Sequence, residues 1–266
     1  MAAAAASSAG PEGKAQQRDI PSCILLDMEG YIADCSNATT AWSKTSTGVP
    51  ISVSFCVARS PVLSHFFVHS PGLDLAALSV PPKAICSEAD LVLLRVHLDP
   101  DASSSHVPNP CPAFFGDDEI AVLSCCCGGG YVVAGLKVPA FELHLYRSAG
   151  AKPGTRRWTI QEVSMPAPVR DTACPVPDSA ENQMFHTTAK TIAIGGEGGT
   201  VGWPGWVDLW RGILLCDLLS PESPPKLRDV PLPPPARGNW ENFLNHPRPC
   251  FYRDVAVVGD RRETIK

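Results

Sequence analysis

Proline limits this chain more than any other residue. It fills 27 of the 266 positions, well above the roughly 5% of an average chain. Each proline removes a backbone donor and clashes with the preceding helical turn. No segment offers a ten-residue apolar stripe at i, i+3, i+4 spacing. The apolar residues come instead in short runs, often β-branched or aromatic, bounded by Gly, Pro, Ser or Asp. These runs predict strands over Cys23–Leu26, Ile51–Val57, Leu63–Val68, Leu91–Val96, Ile120–Leu123 and Tyr131–Leu136. Further strands are expected over Phe141–Tyr146, Trp158–Val163, Thr191–Ile194, Gly212–Leu218, Leu227–Val230 and Asp254–Val258. An all-β chain follows.

The spacing of the runs narrows the class. Phe141–Tyr146 leads through a polar turn into Trp158–Val163, and Val207–Leu218 leads through Ser220–Lys226 into Leu227–Pro233. A hairpin with a proline-terminated exit, recurring every few tens of residues, suggests propeller blades, about five at roughly 40–50 residues each. A β-sandwich is the alternative architecture, with similar local grammar. Residues 1–20, rich in Ala and Ser, read as a disordered tail without the apolar stretch of a secretory signal. Residues 21–266 read as a single β-rich domain. Three long Pro/Ser/Asp-rich stretches, Asp99–Asp117, Val169–Gln183 and Pro231–Pro249, are expected as loops.

Charge and cysteine content exclude several classes. The net charge is −5, with no cluster of Lys and Arg, so general nucleic-acid binding is not expected. No apolar run approaches the ~18 residues of a membrane span. Eleven cysteines, an odd number without any C-x-x-C pair, argue for reduced thiols, with Cys23, Cys56 and Cys216 expected as small buried hydrophobes. Cys125-Cys126-Cys127 point alternately to opposite sides of a strand and would not chelate zinc. No metal or cofactor is expected.

Catalytic motifs are weak. Gly195-Gly196-Glu197-Gly198-Gly199 lacks the spacing and the following helix of a phosphate loop and reads as a turn. There is no G-x-S-x-G elbow. His65, His69 and His144 read as ordinary surface histidines, and Asp117-Asp118-Glu119 as a solvated acidic turn. The densest signal is Trp203-Pro204-Gly205-Trp206-Val207-Asp208-Leu209-Trp210-Arg211, three indoles in eight residues. As one continuous strand it would put Trp206, Asp208 and Trp210 on one face, and Val207, Leu209 and Arg211 on the other. Either the rings form a platform with Arg211 as cation, or they fill a core while Asp208 or Asp217 fixes a turn or pairs Arg211. Trp206, Asp208, Trp210, Arg211 and Asp217 are the candidate residues.

At this segment the chain resembles a plant family of unknown function, greatly expanded in grasses and catalogued as domain of unknown function number sixteen-eighteen. The likeness rests on Trp206–Asp217, on Leu227-Arg228-Asp229-Val230-Pro231-Leu232-Pro233 and on Arg253-Asp254-Val255-Ala256-Val257. Ile24-Leu25-Leu26-Asp27, Asn37-Ala38-Thr39-Thr40-Ala41 and Leu91-Val92-Leu93-Leu94-Arg95 resemble the part that commonly precedes that domain. The resemblance implies no catalytic residue and no cofactor. Phe141–Ser148 with Trp158, and Asp208 to Pro233, also resemble F-box-associated β-propeller domains, though an F-box itself is missing. Family members usually continue beyond Lys266, which suggests a shortened product whose propeller ring is incomplete.

Three functions follow as expectations. The first is a soluble, non-catalytic protein-interaction module with a protein partner and no nucleic acid or membrane. It would act inside the cell, in cytoplasm or nucleus, or in an organelle reached through the tail. The second is a hydrolase or carbohydrate-binding β-protein using Trp203, Trp206 and Trp210 as a sugar platform. The third is a shortened, inactive copy of the family.

Overall fold

The computed structural model describes residues 2–4, 21, 23–44, 48–71, 80–88, 90–97, 114–125, 130–138, 140–148, 158–164, 186–194, 202–218, 225–233, 245 and 248–257. The fold is all-β: the elements among these residues are sixteen strands and two 3-10 turns. Among them, no helix is long and apolar enough to cross a membrane. The chain clusters into two compact units, Met1–Phe114 and Phe115–Lys266, where the sequence suggests one domain over 21–266.

The first unit holds β1 (Ala2–Ala4), β2 (Leu25–Leu26), β3 (Tyr31–Ile32), β4 (Ala41–Lys44), β5 (Pro50–Cys56), β6 (Leu63–His69), β7 (Lys83–Glu88) and β8 (Leu91–Arg95). Strand β6 is the central one, pairing antiparallel with β5 and parallel with both β2 and β3, while β4 extends the sheet beyond β5. Its sequence Leu-Ser-His-Phe-Phe-Val-His buries every second residue, as the two-residue period of a one-sided strand requires. Ser64, Phe66 and Val68 face inward, and Leu63, His65, Phe67 and His69 face outward. Phe66 and Val68 join Ile51, Val53, Ala84, Leu94 and Val96 in one core. A Cβ on Gly30 would stand 2.3 Å from the Phe66 ring, so only glycine lets the backbone pass there. Of the expected tail, Ala2–Ala4 are described, paired antiparallel with β8; the rest lies outside the described residues.

The second unit contains two four-stranded antiparallel meanders in chain order. The first runs β9 (Ile120–Cys125), β10 (Gly130–Lys137), β11 (Glu142–Arg147) and β12 (Trp158–Glu162). The second runs β13 (Lys190–Ile194), β14 (Trp203–Asp208), β15 (Gly212–Cys216) and β16 (Leu227–Pro231). Leu123, Val132, Ala134, Leu136, Leu143 and Leu145 of the first meet Trp206, Leu214, Cys216 and Leu227 of the second in a shared core. The sheets are also tied at both ends. Thr191 Oγ1 of β13 donates to the Ile120 carbonyl of β9 at 2.8 Å, and Leu227 N at the start of β16 donates to Ser164 O, just past β12, at 2.9 Å.

Several local expectations are corrected. Strand β11 is covered on both faces, so His144 is buried rather than on the surface. A central strand needs no apolar-polar alternation once both faces are packed. Residues 253–257 lie in no strand, because side chains there clasp the neighbouring turn. Strands β3, β4 and β7, absent from the sequence reading, are short or carry polar residues. Of the cysteines expected inside, Cys216 is buried while Cys23 and Cys56 are exposed. Most of the three long loops and the whole of Gly195–Gly199 lie outside the described residues.

Candidate functional site

The tryptophan-rich segment is a hairpin, not one strand. Strand β14 ends at Asp208, Leu209–Arg211 form the turn, and β15 starts at Gly212. The turn exists because Asp208 supplies its acceptor. Its Oδ1 accepts the Trp210 N–H at 2.8 Å and the Arg211 N–H at 3.1 Å. Its Oδ2 accepts the Thr187 N–H at 2.9 Å and lies 3.5 Å from Arg211 Nη1. Gly212 leaves the turn at φ 153°, and a Cβ there would stand 2.5 Å from the Val230 carbonyl oxygen. That conformation and that space both demand glycine.

Burial decides what this cluster can do. Asp208 is 1% exposed, Arg211 6%, Trp206 0% and Trp210 5%. Trp206 lies within the core between the two meanders, and its indole Nε1–H donates to the Glu119 carbonyl at 3.0 Å. A sugar needs an open ring face to stack on, and two of the three indoles offer none; Trp203 alone is half-buried. Of the two readings, Trp206 and Trp210 follow the core-filling one, and the alternative Trp203/Trp206/Trp210 platform is left with Trp203 alone. The Asp208 carboxylate accepts three backbone N–H groups beside a guanidinium, which occupies its lone pairs. It is a turn clamp. Asp217 follows β15 half-buried. Burial, with the Asp217 carboxylate adding in the same direction, pushes the Cys216 thiol up to about 12, so this cysteine is a poor nucleophile near neutrality.

The sequence did not reveal the residues that complete the clasp. Arg253 Nη1 donates to the Leu209 carbonyl at 3.2 Å and Nη2 to the Pro233 carbonyl at 3.3 Å, linking the turn to the end of β16. Asp254 pairs with Lys190 of β13. The Lys190 ammonium, followed by the Val255 N–H, holds the Asp254 carboxyl below its usual range. Val255 packs on the face formed by Val207, Leu209, Ile213 and Leu215. Arg253 and Asp254 stand in one of the resemblance-bearing blocks, which was the available signal. Thr187 and Glu119 contribute backbone atoms, for which no side-chain motif exists.

Open aromatic rings lie elsewhere, on the outward face of the first unit's sheet. Tyr31 of β3 is 50% exposed and Trp42 of β4 58%. In register, Tyr31 lies opposite Phe67, while Trp42 lies opposite Ser52, which lies opposite His69. Tyr31 stacks on Phe67 with centroids 5.5 Å apart and meets the His65 ring edge-on at 5.6 Å. Each outward histidine has a carboxylate: His65 Nδ1 lies 3.4 Å from Asp27 Oδ2, and His69 Nε2 4.0 Å from Asp34 Oδ2. Among the described residues no group of three or more His, Cys, Asp or Glu is placed to hold a metal.

No curated protein and no solved structure matches the chain. The clasp itself carries the likeness found in the sequence: residues 206–266, from the buried Trp206 onward, match the family described as a protein of unknown function, DUF1618.

Proposed function

We propose that this protein is a non-catalytic, propeller-like interaction module that binds another protein, within the cell, through the outward face of the first unit's sheet. The observation that carries the reading is the exposure of Tyr31 and Trp42 on that face. Tyrosine and tryptophan are the residues that most often anchor protein interfaces, because each buries a large rigid area at little entropic cost. Such a role requires neither a cofactor nor a reacting group, which fits a signature segment occupied with packing.

The propeller reading draws support from the second unit. Two consecutive four-stranded meanders pack face to face, with β9 against β13 and β12 leading to β16. Sequential blades of a propeller meet in this way, first strand by first strand and last by last.

Quantitative affinity capture from the organism's own extract tests the interaction reading. Wild-type protein is compared with the Tyr31→Ala/Trp42→Ala variant, after both show the same unfolding midpoint. A captured protein that the variant loses supports the reading. Equal capture by both refutes this face as the interface.

A further inference from the structure

We infer that the Tyr31–Phe67 stack is a receptor for an arginine side chain presented by an extended basic segment of a protein partner. The inference rests on the interaction reading above and names the chemistry that the face would recognise. Along β6 the outward residues alternate in kind: Leu63, His65, Phe67, His69. The neighbouring chain matches them with Leu25 beside Leu63, Asp27 beside His65, Tyr31 beside Phe67 and Asp34 beside His69. A stacked aromatic pair therefore lies between two histidine–carboxylate pairs, set about 14 Å apart by four residues of strand.

Each part suits a guanidinium. One face of the Tyr31 ring rests on Phe67 while the residue stays half exposed, leaving a ring surface over which a planar cation stacks. Asp27 and Asp34 flank the stack, Asp34 with a side chain 62% exposed, and the exposed Glu29 adds a third carboxylate nearby in sequence. Their oxygens are partly engaged already: Asp27 Oδ1 accepts the Glu29 N–H at 3.2 Å, and Asp34 Oδ1 accepts the Ser36 hydroxyl at 2.9 Å. These bonds orient the carboxylates without closing their remaining lone pairs. Lys44, two residues beyond Trp42 on β4, places the opposite charge at the far side of the sheet. The Tyr31 side is acidic in a chain whose net charge is −5, so charge complementarity selects a basic partner. A neutral polysaccharide would use the ring but gain nothing from the carboxylates' charge.

The test uses the full chain and fluorescence anisotropy with a labelled extended peptide alternating Arg and Ser. The same peptide with Lys in place of Arg, and one with Glu, serve as controls. The expected order is Arg over Lys, with no binding of the Glu peptide. Tyr31→Ala should weaken the Arg peptide about tenfold, the scale of one desolvated cation–π contact, and Tyr31→Phe should retain it. Asp27→Asn/Asp34→Asn should weaken it at least as much, whereas the charge-matched Asp90→Asn/Asp118→Asn pair should not. Any of three results overturns the inference: no binding of the Arg peptide, equal binding by Tyr31→Ala, or an equal loss from the two charge-matched pairs. Binding of cello- or xylo-oligosaccharides that depends on Tyr31, with none of the Arg peptide, assigns the face to a polysaccharide instead. If the peptide fails while capture still depends on Tyr31 and Trp42, the arginine inference falls and the interaction reading stands.

Discussion

Replacing Asp208 by alanine is the most direct challenge to the clamp. Three backbone N–H groups and one guanidinium converge on this carboxylate, which is 1% exposed. Each buried donor that loses its acceptor costs about 1–3 kcal/mol, and removing one member of a buried ion pair costs about 3–5 kcal/mol. These contributions share one carboxylate and do not add. About 4 kcal/mol is the expected loss, a large part of the roughly 5–15 kcal/mol that holds a typical fold together. Asp208→Asn keeps the shape and one acceptor oxygen but sets an amide N–H against a donor, so about half that loss is expected. In the double variant Asp208→Ala/Arg211→Met the buried cation goes with its partner. Its loss should fall short of the sum of the singles by about 1–3 kcal/mol.

Urea unfolding followed by tryptophan emission suits the measurement. Four of the five tryptophans among the described residues, at 158, 203, 206 and 210, lie in the second unit, so their emission reports on the unit that holds the clamp. The midpoint should drop with an unchanged slope, the mark of lost stability rather than an altered unfolded state. Asp118→Ala, at an exposed position, is the control. If Asp208→Ala unfolds within about 1 kcal/mol of that control, the carboxylate is not holding the turn and the reasoning fails.

Other consequences are equally concrete. With its pKa pushed up to about 12, Cys216 should be about one part in ten thousand thiolate at pH 8. Native-state alkylation read by mass spectrometry should therefore label Cys23, Cys56 and Cys250, all exposed, well before it; comparable labelling of Cys216 would refute its burial. Gly212→Ala must adopt φ near 153° against the Val230 carbonyl and should cost at least about 2 kcal/mol in the same unfolding assay. The Lys190–Asp254 pair lowers the folded pKa of Asp254. Its contribution is thus full above the unfolded carboxylate value of 3.8 and vanishes as pH falls through the lower folded value. At this exposure it is worth under about 1 kcal/mol, so Asp254→Asn should shift the midpoint slightly at pH 7, and the shift should shrink as the pH falls below 3.8 and through the lower folded value. Asn37→Ala removes bonds to the Thr39 N–H and hydroxyl and to the Phe55 carbonyl. It should lower the first unit's stability by about 1–2 kcal/mol, read from hydrogen exchange at the β4–β5 pair.

Strand content was legible wherever a run was apolar enough to declare itself, as in Gly130–Lys137, and illegible where the strand carried polar side chains, as in Lys83–Glu88. The division of Trp203–Cys216 into two strands escaped the periodicity because apolar residues continue through the turn: Leu209 and Trp210 are buried there. Hydrophobicity marks burial and not direction, so it does not register a reversal whose turn is itself inside. What marked the reversal was Asp208 followed by Gly212, an acceptor for two turn amides and a residue free of Cβ. The open aromatic face was equally hidden. Tyr31 and Trp42 are single residues in short strands, and their exposure depends on Phe67 and Ser52, which are joined to them by pairing alone.

The three blocks that carry the family resemblance in the second unit turn out to be one physical object. Asp208 holds the turn, Arg253 bridges that turn to the carbonyl of Pro233 after β16, and Asp254 reaches Lys190 on the opposite edge strand. Val230 and Val255 pack over the sheet face between them. Residues some fifty positions apart meet here because a four-stranded sheet has two edges and a turn to secure, and each of these side chains reaches one of them. Such a signature describes how a sheet is closed, and it is compatible with any ligand the rest of the molecule binds. The heart of the clasp, Asp208 and Arg211, is buried and leaves no surface open to a partner, while Asp254 at its margin stays exposed. Exposed rings stand also at Phe114 and, within the matched segment, at Phe251, whereas Tyr31 and Trp42 share one sheet face outside it, which is why the proposed interface is placed there.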